Sequence, residues 1–363
     1  MNRALPAIAA LAGLVILGAN SRLEAQVSRP AEPIEPIRAV LNALRTHQVV
    51  GLGTGAHNNE QGHAFVLSVI RHADFPTAGA DLVVECGTAR YQDVMDRFIS
   101  GDEVPREALR RAWEDTTQPH AGCETPIHEE LYRAVRTVNT ALPKERRVRV
   151  LLGDPPIDWS SPTEKQDREK FMFMRDSYPA QLIQREILAK NRRALIVYGQ
   201  GHLQRKQMLS NYDMSHPIAQ TIVSLLESRG VKVFTVWGNT RADLETLQPD
   251  IAAWRRPSLA LVRGNVLGAA DFQFFFSDIS SRLAVKDGKL APIPRDQWRE
   301  LRMEDQFDAL LYLGPTSSIT TSQFPPSLCA DAPYMKMRLE RLDAYGPKGE
   351  ADRLRQRCAD SVK

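Results

Sequence analysis

The stretch VVGLGTGAHNNEQGHAFVLSVIRH, residues 49–72, contains the pattern from which the fold of this chain can be worked out. Residues 49–52 form a short apolar run, which predicts a strand that is buried on both faces. Residues 60–71 have the apolar spacing of an amphipathic helix. The glycines between the two segments permit tight backbone turns that a side chain would hinder. We therefore expect the turn to hold His57 at the edge of a sheet, near a helix N-terminus.

The rest of the chain repeats this alternation of strand and helix. Further apolar runs occur at residues 82–84, 148–152, 194–198, 231–237, 259–262 and 309–313. Helical patterns occur at residues 60–71, 127–140, 163–190 and 217–228. Uniformly apolar strands that alternate with helices are typical of an α/β fold, so we predict a mostly parallel central sheet covered by helices on both faces. Residues 267–306 are irregular in pattern and are expected to wrap around the sheet.

The N-terminal segment has the features of an export signal. Arg3 precedes an apolar run over residues 4–19, which is shorter than the roughly 20 residues that a spanning helix needs, and Ala25 offers a small residue for cleavage. We interpret residues 1–25 as a signal peptide, residues 26–40 as a proline-rich lead-in, residues 41–320 as one α/β domain and residues 321–363 as a helical tail. The protein is expected to be periplasmic or secreted, with no membrane span after cleavage.

Charge composition narrows the class of partner. The chain has 47 basic and 44 acidic residues and a net charge of +3, which does not favour a nucleic-acid partner. A small-molecule or peptide substrate is expected instead. The sequence does not indicate an oligomeric state.

The cysteines are even in number, as expected for an oxidising compartment where disulfides persist. We predict a bridge between Cys329 and Cys358, which would close the polar tail onto itself. Cys86 and Cys123 form the remaining pair, although Cys86 follows an apolar strand and could equally be a small buried residue.

Polar side chains stand at the ends of four predicted strands, namely His57, Glu85, Asp154 and His202. The carboxyl ends of parallel strands meet at one edge of a sheet, so these side chains are expected to line one cleft. Imidazoles and carboxylates perform acid-base chemistry and bind metals. The pattern therefore predicts a catalytic site at this edge.

Other residues are expected to assist these four. Arg90, if it turns inward, would hold an anionic intermediate, and Arg175 precedes the helix-breaking Pro179 and could face the strand tips. His120 and His128 flank Cys123 in a polar segment and are expected to be solvated. The expected supporting residues are Thr54, Glu60, His63, Arg175 and Tyr198.

The segments GTGAHNNEQGHAF, VVECG, LLGDPPIDW, MRDSYPAQLI and VYGQGHLQR, in this order, resemble the superfamily that contains erythromycin esterase-like, haem-uptake ChaN and TIKI proteins. The resemblance covers roughly residues 49–205 and implies that His57, Glu85 and His202 are site residues. Esterase-like members carry a glutamate where this chain has Thr54. The superfamily includes esterases, metal-dependent proteases and haem-binding proteins, so the resemblance alone does not select one chemistry.

Three chemistries remain open at this point. In a hydrolase, His57 would be the general base, Glu85 would orient an imidazole, and His202 would be a partner or an electrophile. In a metal-assisted variant, the same three side chains would bind a divalent ion. In a binding protein without catalysis, His57 or His202 would ligate haem beside an aromatic wall at residues 272–276. In the first two, neutral imidazoles are required, so activity or metal affinity is expected to fall below about pH 6.

The signal peptide generates the first prediction. The precursor should be cleaved near Ala25, because the short apolar run ends in a small-residue site. Intact-mass measurement of the exported protein checks this. Recovery of the full-length chain from the membrane fraction would contradict it.

Overall fold

The computed structural model describes residues 29–56, 58–118, 122–161, 170–206, 220–276, 283–286, 289–292, 301–346 and 348–361. The strands are β1 (Val49–Gly53), β2 (Ala80–Thr88), β3 (Val150–Asp154), β4 (Arg193–Tyr198), β5 (Val233–Asn239), β6 (Ser258–Leu261), β7 (Leu283–Lys286), β8 (Lys289–Pro292) and β9 (Ala309–Tyr312). The first seven α-helices are α1 (Pro36–Thr46), α2 (Glu60–Arg71), α3 (Gln92–Ser100), α4 (Arg106–Glu114), α5 (Pro126–Thr140), α6 (Ser177–Glu186) and α7 (Ile222–Glu227). They are followed by α8 (Val266–Ala269), α9 (Phe272–Phe275), α10 (Met303–Gln306), α11 (Pro326–Ala330), α12 (Ala332–Tyr345) and α13 (Glu350–Ser361).

A seven-stranded sheet with the order β3-β2-β4-β1-β5-β9-β6 forms the centre of the fold. Neighbouring strands pair in parallel, except that β6 runs antiparallel to β9 at one edge. The predicted fold class, a mostly parallel sheet with covering helices, is therefore confirmed. Strands β7 and β8 form a separate antiparallel pair within the segment whose sequence pattern is irregular.

Both faces of the sheet are covered by apolar clusters, which explains why its strands lack polar alternation. In β2, Leu82 and Val84 pack into a cluster with helices α1 to α5, whereas Val83 packs into a second cluster with α6 and α7. Successive side chains of a strand point to opposite faces, so each face receives every second residue. Because both faces of the sheet are buried, polar side chains at the ends of its strands lie at the edge of the sheet and not on its faces.

The turn after β1 is held by close backbone packing. Gly55 has a φ of +80°, and a Cβ at this position would lie 2.3 Å from the side chain of Thr240. Helix α2 begins immediately after this turn, with the side chain of Asn59 accepting a hydrogen bond from the backbone of Gly62 (2.8 Å). The backbone of Ser322 also donates to the carbonyl oxygen of Asn58 (2.8 Å), so a distant loop fixes the same turn.

The C-terminal helices form a small cluster of their own and dock on the sheet domain through arginines. Arg338 of α12 forms an ion pair with Glu124 at 2.8 Å, and both side chains are almost fully buried. Arg341 pairs with Asp115 at 2.8 Å. A buried ion pair of this kind is costly to break, because either partner alone is a desolvated charge. The tail is thus attached to the segment that leads from α4 to α5.

Two disulfides are present, one between Cys86 and Cys123 and one between Cys329 and Cys358. The predicted Cys329–Cys358 bridge is confirmed, and Cys86 and Cys123, whose pairing the sequence left open, are also bridged. Disulfides of this kind are typical of proteins outside the cytoplasm. Among the described residues, no helix has the length and apolar character needed to cross a membrane. The predicted signal peptide lies outside the described residues.

The disulfides generate the second prediction. Their sequence separations are 37 and 29 residues, so each should stabilise the fold by about 3.5–4 kcal/mol in the chain-entropy model. Reduction should therefore lower the melting temperature by several degrees, as measured by circular dichroism. The double variant Cys329→Ala/Cys358→Ala should lower it by less than reduction of both bridges. Four titratable thiols in unreduced, denatured protein would contradict the prediction.

Candidate active site

Glu85 lies buried inside β2, at the point where the pairing with β3 becomes irregular. The register between these strands shifts between Val84 and Thr88. The strand continues to Thr88, so the expectation that Glu85 ends the strand is wrong. The irregularity allows a polar side chain to occur in an otherwise apolar strand, and irregular pairing is frequent next to functional sites.

The Glu85 carboxylate is fixed by donors from three other segments. Its Oε1 accepts hydrogen bonds from Arg175 Nη2 (2.8 Å) and Gln118 Nε2 (2.9 Å), and its Oε2 accepts one from the backbone of Gly199 (2.5 Å). Arg175 also donates to Gln118 Oε1 at 2.6 Å. The guanidinium supplies the counter-charge that a buried carboxylate requires.

His202 is held between two carboxylates. It belongs to the 3₁₀ turn Gln200–Leu203 after β4, where its Nδ1 lies 2.8 Å from Asp176 Oδ1 and its Nε2 lies 3.3 Å from Glu85 Oε1. Burial alone would lower the pKa of His202, but the charges and hydrogen bonds of Asp176 and Glu85 outweigh it and raise the pKa to about 10. A pKa of about 10 favours the imidazolium at neutral pH, in contrast to the neutral imidazole expected from the sequence.

Asp176, the neighbour of the predicted Arg175, is a further residue of this site that was not among the predicted ones. Besides contacting His202, its Oδ1 accepts a hydrogen bond from the backbone of Ile222 (3.1 Å), which fixes the carboxylate. Arg175 and Asp176 are adjacent, so one short segment supplies both the cation that pairs with Glu85 and the anion that pairs with His202. This adjacency in the MRDSYP segment is a signal that could have identified Asp176.

Tyr198 packs against the His202 ring and is accommodated by a glycine. The two rings are in an edge arrangement with centroids 5.8 Å apart. A Cβ on Gly153 would lie 1.9 Å from the Tyr198 hydroxyl oxygen, so this position of β3 has no room for a side chain. Tyr198 thus supports the ring, in the position expected of a supporting residue.

Asp154, the last residue of β3, is buried one step from this cluster. It accepts hydrogen bonds from the backbone (2.8 Å) and the hydroxyl (2.5 Å) of Thr117. Burial raises the pKa of Asp154 to about 7, although the bonds from Thr117 and the charge of Arg175 act in the opposite direction. Asp154 therefore contacts Thr117 directly, and Thr117 is adjacent to Gln118, which binds Glu85.

Two predicted site residues are engaged in other contacts. Arg90 forms an ion pair with Asp158 at 2.8 Å, and both side chains are about one-third exposed. Glu60 is exposed and accepts a hydrogen bond from the Thr320 hydroxyl (2.5 Å). The structure thus assigns Arg90 to a partly exposed ion pair and Glu60 to a contact with the loop that fixes α2.

A small cavity of about 20 Å³ lies behind Glu85. It is lined by Thr54, His63, Glu85, Cys86 and His128, among other residues. His63 and His128 are buried, with ring centroids 4.7 Å apart in an edge arrangement. The expectation that His128 is solvated is wrong, because helix α5 turns its first residues toward β2. Thr54 and His63 lie where supporting residues were expected.

A cleft of about 540 Å³ lies in front of His202. Loops that follow β1, β4 and β5 and the last helix line it, with Gly55, Ala56, Asn58, Gly122, Gly199, Gln200, Gly201, His202, Thr240, Arg241, Phe276, Glu350 and Arg357. His57 lies outside the described residues, whereas its neighbours Ala56 and Asn58 are part of the lining. Of the described residues that were predicted at strand ends, His202 lines this cleft, whereas Glu85 and Asp154 are buried beneath it.

Glu85 and His202, as arranged, do not fit a divalent metal. Both ring nitrogens of His202 face carboxylate oxygens, and Arg175 sits 2.8 Å from the Glu85 carboxylate, where it would repel a dication. The aromatic residues 272–276 do not form a continuous wall of the cleft, because among them only Phe276 lines it. Phe272 and Phe275 are buried, and the Phe272 ring lies 5.3 Å from Trp237 in the core.

Comparison with known proteins identifies the fold but not the activity. No family model and no curated protein matches the sequence. A succinoglycan biosynthesis protein is similar in structure, with a TM-score of 0.52 and 9% identity over 85% of this chain and 99% of that one. A Bacillus cereus protein has a TM-score of 0.47 and 13% identity over 84% and 98% of the two chains. A mutant erythromycin esterase EreC in its open conformation has a TM-score of 0.47 and 12% identity over 76% and 92%.

The ion pair beneath the cleft generates the third prediction. Arg175→Met should reduce the free energy of unfolding by about 3 kcal/mol, because it removes the guanidinium that lies 2.8 Å from the buried Glu85 carboxylate. Urea denaturation measures this. The added change Glu85→Gln should recover part of the loss.

Arg90→Met is the matched control for this prediction. It removes an arginine from an ion pair of the same 2.8 Å length but with partly exposed partners, and should cost less than about 1 kcal/mol. Equal losses in the two arginine variants would contradict the assignment of a buried structural charge to Arg175.

Proposed function

We propose that this protein is an exported hydrolase that activates water on an ester or amide substrate in the cleft in front of His202. The observation that carries the proposal is the His202 ring, which Asp176 at 2.8 Å and Glu85 at 3.3 Å hold at the cleft wall. The sequence resemblance to erythromycin esterase-like proteins supports the same reaction class. The disulfides and the predicted signal peptide support a location outside the cytoplasm.

His202 is proposed to stabilise the negative charge that develops on the carbonyl oxygen of the substrate. Its Nδ1 contact with Asp176 is short at 2.8 Å and anchors the ring, whereas its Nε2 contact with Glu85 is longer at 3.3 Å. The Nε2 proton, which Glu85 holds less closely, is therefore proposed to be shared with a substrate oxygen at the cleft wall. A preorganised cation at this position lowers the barrier, because it needs no reorientation during the reaction.

Glu85 and Arg175 are proposed to keep this cation in place rather than to react. Arg175 compensates the Glu85 charge, while Gln118 and Gly199 orient the carboxylate. The charge and hydrogen bond of Glu85 contribute to raising the pKa of His202. The carboxylate acts through the histidine, as a positioning residue.

The general base of this proposal is His57. Its position in the GTGAH segment matches the histidine of esterase-like members, and the residues on both sides of it line the cleft. A neutral imidazole can accept a proton from water, and the resulting hydroxide would attack the carbonyl carbon. The reaction would then need a neutral His57 together with a protonated His202.

The fourth prediction follows from these two protonation states. Hydrolysis of a panel of chromogenic esters, lactones and peptide amides should fall below about pH 6, where an ordinary histidine is protonated, and again as the pH rises through about 10, where His202 loses its proton. Asp176→Asn keeps the acceptor for Nδ1 but removes a charge. It should move the alkaline limb to lower pH by about one unit or more.

Variants separate this site from background hydrolysis. His202→Gln should lower kcat by about 10²–10³-fold, and the double variant His57→Ala/His202→Ala should be scarcely worse than either single variant. Arg71→Gln, which changes a surface ion pair with Glu130 at the other end of α2, is the control and should leave kcat unchanged. Full activity of His202→Gln would contradict the proposal.

A further inference from the structure

The Cys86–Cys123 disulfide lies in an unusual setting for a structural bridge. Cys86 follows Glu85 in β2, and His128 from the first turn of α5 packs against it, with Nε2 3.6 Å from Cys86 Sγ. All three side chains are buried. In the part of the chain that the structure describes, the sulfur atoms of Cys86 and Cys123 and a ring nitrogen of His128 lie within 4.8 Å of one another.

We propose that, when this disulfide is reduced, Cys86, Cys123 and His128 form a binding site for a thiophilic divalent ion such as Zn²⁺. Thiolate and imidazole are the ligands that Zn²⁺ prefers, and tetrahedral coordination with Zn–S near 2.3 Å and Zn–N near 2.0–2.1 Å places sulfur and nitrogen about 3.5 Å apart. The separation of 3.6 Å between His128 and Cys86 already matches this value. Cleavage of the bridge frees the Cys123 sulfur to rotate into a third position.

The chain positions the three ligands from two rigid elements. Cys86 is fixed in a central strand, whereas Cys123 and His128 flank the start of α5, so two ligands are local and one is distant in sequence. The ring of His63 meets the ring of His128 at its edge and limits its orientation. A ligand imidazole held by its neighbours needs little ordering when the metal binds.

A fourth coordination position is available in the cavity behind Glu85. Cys86, His128, Thr54 and Glu85 all contribute to its wall, and its volume of about 20 Å³ is enough for one water molecule. Two thiolates, one imidazole and one water form a coordination set that zinc proteins use. This cavity shares Glu85 with the proposed hydrolytic site, whereas His202 faces the larger cleft.

The redox and proton changes are balanced as follows. A dithiol reductant transfers two electrons and two protons to the Cys86–Cys123 bond, which gives two thiols, and the reductant becomes a disulfide. Binding of one Zn²⁺ then displaces the two thiol protons and forms two metal–thiolate bonds. The disulfide and the metal site are therefore alternative states of the same two sulfur atoms.

Cobalt titration tests the proposal. The full protein is reduced with dithiothreitol, freed of reductant under anaerobic conditions and titrated with Co²⁺, which reports thiolate ligation and tetrahedral geometry through its absorption bands. We expect one equivalent of Co²⁺, displaced by Zn²⁺, in the reduced protein and none in the oxidised protein. Absence of thiolate bands in the reduced protein, or equal binding by the oxidised protein, would overturn the proposal.

Matched variants assign the site. Cys329→Ala/Cys358→Ala should keep the bands, whereas Cys86→Ala/Cys123→Ala should lose them, and His128→Asn should weaken affinity by about tenfold or more. His72→Asn changes a histidine outside this cluster and should have no effect. Bands that persist in Cys86→Ala/Cys123→Ala would overturn the proposal.

A second measurement does not depend on the fold of these variants. In reduced wild-type protein, Zn²⁺ should slow alkylation of Cys86 and Cys123 relative to Cys329 and Cys358, as measured by peptide mass mapping. Zn²⁺ should also raise the melting temperature of the reduced protein. Equal alkylation of the four cysteines in the presence of Zn²⁺ would contradict the proposed site.

Discussion

The buried carboxylate of Glu85 organises the edge of the sheet at which the candidate active site lies. Glu85 sits inside a strand whose neighbours are almost all apolar, so its charge has to be compensated from other parts of the chain. The compensation comes from Arg175, from Gln118 and from the backbone at Gly199, while His202 provides a second cation. These contacts connect segments that are far apart in sequence. They also constrain the loop with Gly199 and His202, which lines the cleft.

The strands of the sheet could be predicted from the sequence, because burial on both faces requires apolar residues. Each uniformly apolar run became a strand of the sheet, since strands covered on both faces cannot carry alternating polar residues. Glu85 and His202 could be selected for a related reason, because a charged or titratable side chain at the end of such a run has no structural need to be there. Arg175 could be selected because Pro179 marks an interruption of the helical pattern, although Pro179 lies in the first turn of α6 and does not end a helix.

The remaining site residues could not be predicted, because their positions depend on long-range packing that no local sequence pattern indicates. Asp176 and Gln118 lie in segments whose approach to Glu85 is determined by how helices settle on the sheet, and the burial of His128 follows from the direction in which α5 enters. The protonation of His202 was also misjudged, because it depends on two carboxylates that meet only in three dimensions. Arg90 has polar neighbours at the surface, and nothing in its sequence distinguished that environment from an inward orientation. The role of His57 stays a prediction.

The last C-terminal helix forms part of the wall of the cleft. Glu350 and Arg357 of the last helix line the same cleft as His202, and Arg338 neutralises Glu124 in the segment before α5. The wall of the cleft therefore contains residues that are far apart in sequence, from Gly55 to Arg357. It is complete only when the helix that carries Glu350 and Arg357 has packed against the sheet domain. A folded sheet without this helix would leave one side of the cleft open.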